Sequence, residues 1–164
     1  MKNIVQKQSL TTLLVAFVLG LISSVFLAKA FLPMLLVNEF KSPLPFERTL
    51  SMIEANAIEA GLDVPKEWQA DRRQQYKMLT GIDIGANGLL TACDPKLGAA
   101  LLKEDRYKVL SVLLPCSIAV YRKKDGRTYV ATLNVEFLSF AFGGKAGESL
   151  KEFAPLLERI THLK

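Results

Sequence analysis

Charge is missing from the first part of this chain. Residues 8–28 carry none, and no acidic residue precedes Glu39. A buried helix of a soluble core would normally show a polar face over that length, which disfavours this reading. Histidine is nearly absent too. His162 stands alone near the end of the sequence, leaving no material for a histidine triad or a histidine-rich metal site within the domain. The only cysteines, Cys93 and Cys116, lack Cys-x-x-Cys spacing, and two thiolates make an incomplete set for a closed four-ligand zinc site. No carboxylates stand at a recognisable acid/base spacing, so a hydrolase reading has no support. Gly81, Gly85 and Gly88 lack the Gly-Lys-Ser/Thr ending of a phosphate loop and read as a flexible connector. These absences lean away from an enzyme, and the sequence names no cofactor and no metal.

The uncharged run is long enough to cross a bilayer, for which about 20 apolar residues suffice. Lys2, Lys7 and the terminal amine precede it, and the positive-inside tendency holds that end in the cytoplasm. Lys29 follows the span and can snorkel to the headgroups. The expected arrangement is a single-pass anchor within residues 1–34, with residues 35–164 as one domain facing the periplasm or exterior. Ala28-Lys29-Ala30 also has the small-x-small form accepted by signal peptidase, so cleavage after Ala30 remains the alternative. A signal core of about 7–15 residues is shorter than this run, which favours the uncleaved anchor.

Divided along the chain, the formal net charge of +5 loses its meaning as a nucleic-acid signal. Lys2, Lys7 and Lys29 belong to the membrane end, leaving 18 basic against 16 acidic residues beyond them. Arg72-Arg73 and Arg122-Lys123-Lys124 are the tight basic clusters, and the second sits at a turn. No nucleic-acid partner is expected.

Beyond the membrane segment, residues 35–40 read as a strand stopped by Ser42-Pro43-Leu44-Pro45. Pro45 suits a first helical position, Phe46, Leu50, Ile53 and Ala57 repeat at helical spacing, and Gly61 ends that helix. Residues 62–65 form an extended connector or brief strand, and residues 66–79 a polar surface helix if any. Residues 89–93 read as a strand, and Asp94-Pro95 as the start of a helix that turns Leu97, Leu101 and Leu102 inward. Asp125-Gly126 between two β-rich runs, 117–121 and 127–134, is the clearest hairpin signal. Residues 148–163 form an amphipathic tail helix through Leu150, Phe153, Leu157 and Ile160, which Pro155 should kink or shorten. The apolar stretch 137–142 is either packing or a partner surface. The fold class is α+β, a small sheet with helices packed against it.

Cys93, Cys116 and Asn134 are the candidate site residues. Three readings of the cysteines stay open: a structural disulfide, worth about 3–4 kcal/mol in the chain-entropy model; two separate buried thiols; or a thiol site for redox, sulfur-transfer or metal handling. In the last, the helix N-terminus beside Cys93 favours thiolate while Asp94 opposes it. Asn134 could orient a ligand or cap a turn.

The ordered set Cys93-Asp94-Pro95-Lys96, Leu101-Leu102-Lys103-Glu104-Asp105, Leu113-Leu114-Pro115-Cys116-Ser117-Ile118-Ala119-Val120-Tyr121, Asp125-Gly126 and Ala131-Thr132-Leu133-Asn134 resembles the bacterial and archaeal domain of unknown function 302. The likeness covers roughly residues 35–144, with the tail helix following. It implies a small α+β domain, often dimeric and sometimes attached to a membrane helix, and no established reaction. The combined expectation is a membrane-anchored accessory or ligand-binding domain, with a homodimer or a membrane complex as partner. The alternative is thiol chemistry at Cys93 and Cys116.

Overall fold

The computed structural model describes residues 2–114 and 116–163. The side chains of residues 2–11, Ala30 and Pro33 lie outside that description, so the expectations placed on Lys2, Lys7, Ala30 and Pro115 fall outside it as well. Contacts divide the chain into residues 1–35 and 36–164.

The first unit is the bulk of α1 (Lys2–Leu36). Its window Thr12–Lys29 has a mean hydropathy of 2.2 and no buried residue. At 1.5 Å per residue that window spans about 27 Å, close to the ~30 Å of a hydrocarbon core. Leu35 and Leu36, expected in the first strand, instead close this helix. The boundary is set by a distant partner: Val37 enters the sheet opposite Leu133, and the Leu36 carbonyl accepts the Asn134 N–H at 2.9 Å.

The second unit is built on an antiparallel sheet of order β1-β5-β4-β3-β2. Its strands are β1 (Val37–Lys41), β2 (Ala70–Asp71), β3 (Asn87–Ala92), β4 (Cys116–Arg122) and β5 (Thr128–Leu133). The β4–β5 hairpin closes at the expected turn, where Gly126 takes φ +78° and the Asp125 carboxylate accepts the Arg127 N–H. Along β4 and β5 burial alternates with period two. Ile118, Val120 and Val130 are fully buried on one face, while Ser117, Ala119, Tyr121, Tyr129 and Ala131 lie on the other, half-buried or exposed.

Two long helices cover the buried face. The helix α2 (Phe46–Glu59) brings Ile53 and Ala57 into the core, and Pro45 stands at its N-cap, one position before the expected place. At the end of the chain, α6 (Gly144–Thr161) adds Phe153, Leu157 and Ile160. It starts before residue 148 and runs on through Pro155. One lost backbone hydrogen bond is outweighed by its buried apolar side chains, each worth about 1.5–3 kcal/mol. The Asn56 side chain donates to the Ile160 carbonyl at 3.1 Å and ties α2 to α6.

The expected surface helix at 66–79 is divided. A 3₁₀ turn at Lys66–Trp68 leads into β2, and α3 (Arg72–Thr80) follows with the Asp71 carboxylate as its cap. The break comes from Gln69, whose side-chain amide donates to the Thr91 carbonyl and accepts the Thr91 N–H at 3.0 Å, as a neighbouring strand would. An unexpected helix, α5 (Val135–Phe142), takes in the whole of the apolar stretch 137–142 and packs on α6.

Candidate functional site

Cys93 and Cys116 lie at one end of the sheet, where β3 hands over to α4 (Pro95–Leu102). The register sets Cys116 opposite Ala92, so the two cysteines are offset by one position and are not a facing pair. Cys93 makes two backbone hydrogen bonds with Asp63, at 2.8 and 2.9 Å, which is all that becomes of the brief strand expected at 62–65. Both cysteines are free thiols, Cys93 half-buried and Cys116 buried.

The two thiols share a narrow crevice lined by Leu97, Leu101, Leu114, Leu150 and Phe153. Its volume of about 30 Å³ is far below the ~300 Å³ at which small-molecule sites begin. Burial raises the Cys93 thiol above its ordinary pKa, and the carboxylates of Asp94 and Asp63 raise it further. Burial pushes Cys116 up to about 11, with Cys93 adding to it. The helix N-terminus that could have favoured thiolate is already satisfied, because the Asp94 carboxylate accepts the Lys96 and Leu97 N–H groups at 3.0 Å each. Both shifts favour the neutral thiol over the thiolate. Among the described residues no group of three or more histidine, cysteine or acidic side chains is placed to hold a metal ion.

Asn134 does not join the cysteines in this crevice. Its side-chain oxygen accepts the Phe137 N–H at 3.0 Å as the N-cap of α5, and its own N–H holds the Leu36 carbonyl. The residue orients a helix, as its turn-capping reading anticipated.

A second cluster lies at the other end of the sheet, on the face that α2 and α6 leave open. Tyr121 and Tyr129 are register partners with rings stacked 6.3 Å apart. The Tyr121 hydroxyl donates to Glu39, whose other carboxylate oxygen accepts from Lys123 at 2.6 Å. The Lys123 ammonium also sits 4.2 Å from the centre of the Tyr129 ring, and the Tyr129 hydroxyl donates to Asp125 at 2.8 Å. Lys123 and Tyr121 together hold the Glu39 carboxyl below its usual range. Partial burial and the Glu39 carboxylate push the Tyr121 phenol up. The result is a stacked tyrosine pair edged by fixed charges of both signs. Sequence reasoning missed it. The Asp125-Gly126 turn does place 121 opposite 129, but the approach of Glu39 depends on β1 pairing with β5 across most of the domain.

Comparison with known proteins agrees with this architecture. The family model described as "Domain of unknown function DUF302" matches residues 38–162, running past residue 144 to include α6. The chain is similar to a crystal structure titled "uncharacterized conserved protein DUF302 from Bacillus stearothermophilus". The TM-score is 0.65 at 19% identity, with 77% of this chain and 95% of that one covered. Among curated proteins, none matches.

Proposed function

Because this chain belongs to the DUF302 family, whose description names no reaction, we propose that it is a membrane-anchored accessory or ligand-binding domain. In this reading α1 remains uncleaved and holds residues 36–164 at the outer face of the cytoplasmic membrane. The observation that carries it is the window Thr12–Lys29, apolar, free of buried residues and of spanning length. The orientation rests on Lys2 and Lys7 preceding the span. The Tyr121–Tyr129 platform is the ligand or partner surface, and a second copy of the chain is one occupant it suits. The raised pKa of both thiols supports this reading over thiol redox, sulfur-transfer or metal chemistry at Cys93 and Cys116.

The test is made on the full chain in bacterial membranes. Retention in the pellet after alkaline carbonate, an intact mass that includes the first 30 residues, and digestion by protease added only from the outer side are the expected results. A soluble chain beginning after Ala30 would refute anchoring. Rapid alkylation of Cys93 near neutral pH, or sulfur or metal mass on either cysteine, would restore the thiol reading.

A further inference from the structure

The sheet order leaves β1 at an edge, paired with β5 on one side and, among the described residues, with no strand on the other. Its free backbone groups follow from the register. The Asn134 N–H donates to the Leu36 carbonyl and the Ser42 N–H to the Thr128 carbonyl, both at 2.9 Å, so the ladder bonds to β5 fall on the even-numbered residues of this strand. Glu39 and Lys41 therefore turn their N–H and C=O groups outward. No hydrogen bond from elsewhere among the described residues reaches these groups, and an edge strand in that state is a template for one more strand.

Strand alternation puts Asn38 and Phe40 on the face that α6 covers, and Glu39 and Lys41 on the open face. Beside Asn38 and Phe40 the surface opens into a recess of about 340 Å³, bounded by Leu157, Glu158 and Thr161 of α6 and by Glu136 of α5. That volume is on the scale of a small-molecule site. Glu136 and Glu158 are the charged residues lining it, and neither belongs to an ion pair among the described residues. The neighbouring Arg159 does not line it. Glu136 stands in the first turn of α5, where the helix dipole accommodates a carboxylate, but Glu158 stands in the last turn of α6, where the dipole opposes one. A cation placed there would offset that opposition. Lys41 and His162 line the adjoining recess, and Lys151 and Glu148, one of each sign, line the surface on the other side.

We propose that β1 receives an extended segment of a partner protein as an added strand, bonded to Glu39 and Lys41, with a lysine or arginine side chain of that segment in the recess beside Glu136 and Glu158. Main-chain bonds hold such a strand, and the recess selects its side chains. A second copy pairing through its own β1 would offer Asn38 and Phe40 on that side, and neither is a cation. The inference goes beyond the accessory-domain reading, and uses neither α1 nor the tyrosine pair.

The experiment measures fluorescence anisotropy of a labelled short peptide alternating threonine and lysine, added to the full chain in a neutral detergent. With the lysines on the α6 side, the threonines face Glu39 and Lys41 and supply the bonding N–H groups. The peptide should bind, and a version with glutamate for lysine should not. N-methylation of the threonines should weaken binding about tenfold or more, since it removes main-chain bonds and keeps the charge. Glu158→Gln should weaken it roughly two- to fivefold, as expected for an exposed ion pair. Lys41→Pro removes an outward N–H at an edge position where proline is tolerated, and should weaken binding even though it also removes a repelling cation. Should that variant not fold, the methylated peptide decides alone. Equal binding of the methylated and parent peptides would show adsorption by charge and overturn the proposal, as would no binding by the parent chain. A dimer in light scattering that Lys41→Pro dissociates would make a second copy the occupant, and the partner segment would be wrong.

Discussion

At Gly147 the backbone of α6 runs directly against that of α5 at Ser139, and replacing this glycine with alanine sets two known effects against each other. In an open helix, Gly→Ala stabilises by about 1 kcal/mol. At position 147 a Cβ would lie 2.3 Å from the Ser139 carbonyl oxygen and 3.3 Å from its carbon. Real Cβ contacts do not fall below 3.0 Å, so α5 and α6 would have to part by at least about 0.7 Å. The obstacle is backbone against backbone, with no flexible side chain to swing aside. A gap of that size forfeits a quarter to a half of the dispersion energy of each contact it opens, and overpacking of this kind costs about 1–3 kcal/mol or more. The steric effect therefore wins. Gly147→Ala should lose a net ~0–2 kcal/mol, whereas Gly98→Ala in α4, where a Cβ meets nothing within 4 Å, should gain up to ~1 kcal/mol. Thermal unfolding followed by circular dichroism compares the two, with a midpoint gap of roughly 3–15 °C at about 3–5 °C per kcal/mol. Equal stability of the two variants would refute the close crossing of α5 and α6.

Three further outcomes follow from the same geometry. With the folded Cys116 pKa near 11 against an ordinary 9.0, the unfolded chain loses this proton first, so its contribution is fully present below pH 9 and declines as pH rises from 9 to about 11. The loss should total roughly 2–3 kcal/mol in urea midpoints across that window, and Cys116→Ala should abolish that part of the decline. Asn134→Ala should cost about 1 kcal/mol through the α5 cap, and Asn134→Asp should restore most of it in thermal melts; equal melts for both variants would show that the cap is not what matters. Glu39→Gln removes an acceptor charge from Tyr121, so ultraviolet titration should show a tyrosine ionising at lower pH than in the parent. Its effect on stability should stay within about 1 kcal/mol, as for exposed ion pairs.

Some features needed only local chemistry. The uncharged run 8–28, the Asp125-Gly126 turn, the Asp94 cap before Pro95, and the inward stripe of Leu150, Phe153, Leu157 and Ile160 each follow from residue types at short spacing. Their energetics are set within one turn of helix or one hairpin, and these features appear in the structure where they were expected. The α+β class follows from them.

Other features depend on residues far apart. Leu35 and Leu36 stay helical because Val37 finds Leu133. Gln69 breaks a helical stretch because Thr91 offers it a strand edge. Pro155, itself exposed, stays inside α6 because the helix buries its other face through Leu150, Phe153, Leu157 and Ile160, and Gly147 is a crossing point only because Ser139 lies beneath it. The same holds for the site residues. Sequence alone named Cys93 and Cys116 and left three roles open, since a thiol's character depends on burial and neighbouring charge. The tertiary structure placed both in an apolar crevice whose burial raises their pKa, and brought Glu39 to Tyr121 and Lys123 across more than eighty residues. Local propensity fixes elements over a few residues, whereas register, burial and pKa are properties of surfaces that only folding brings together.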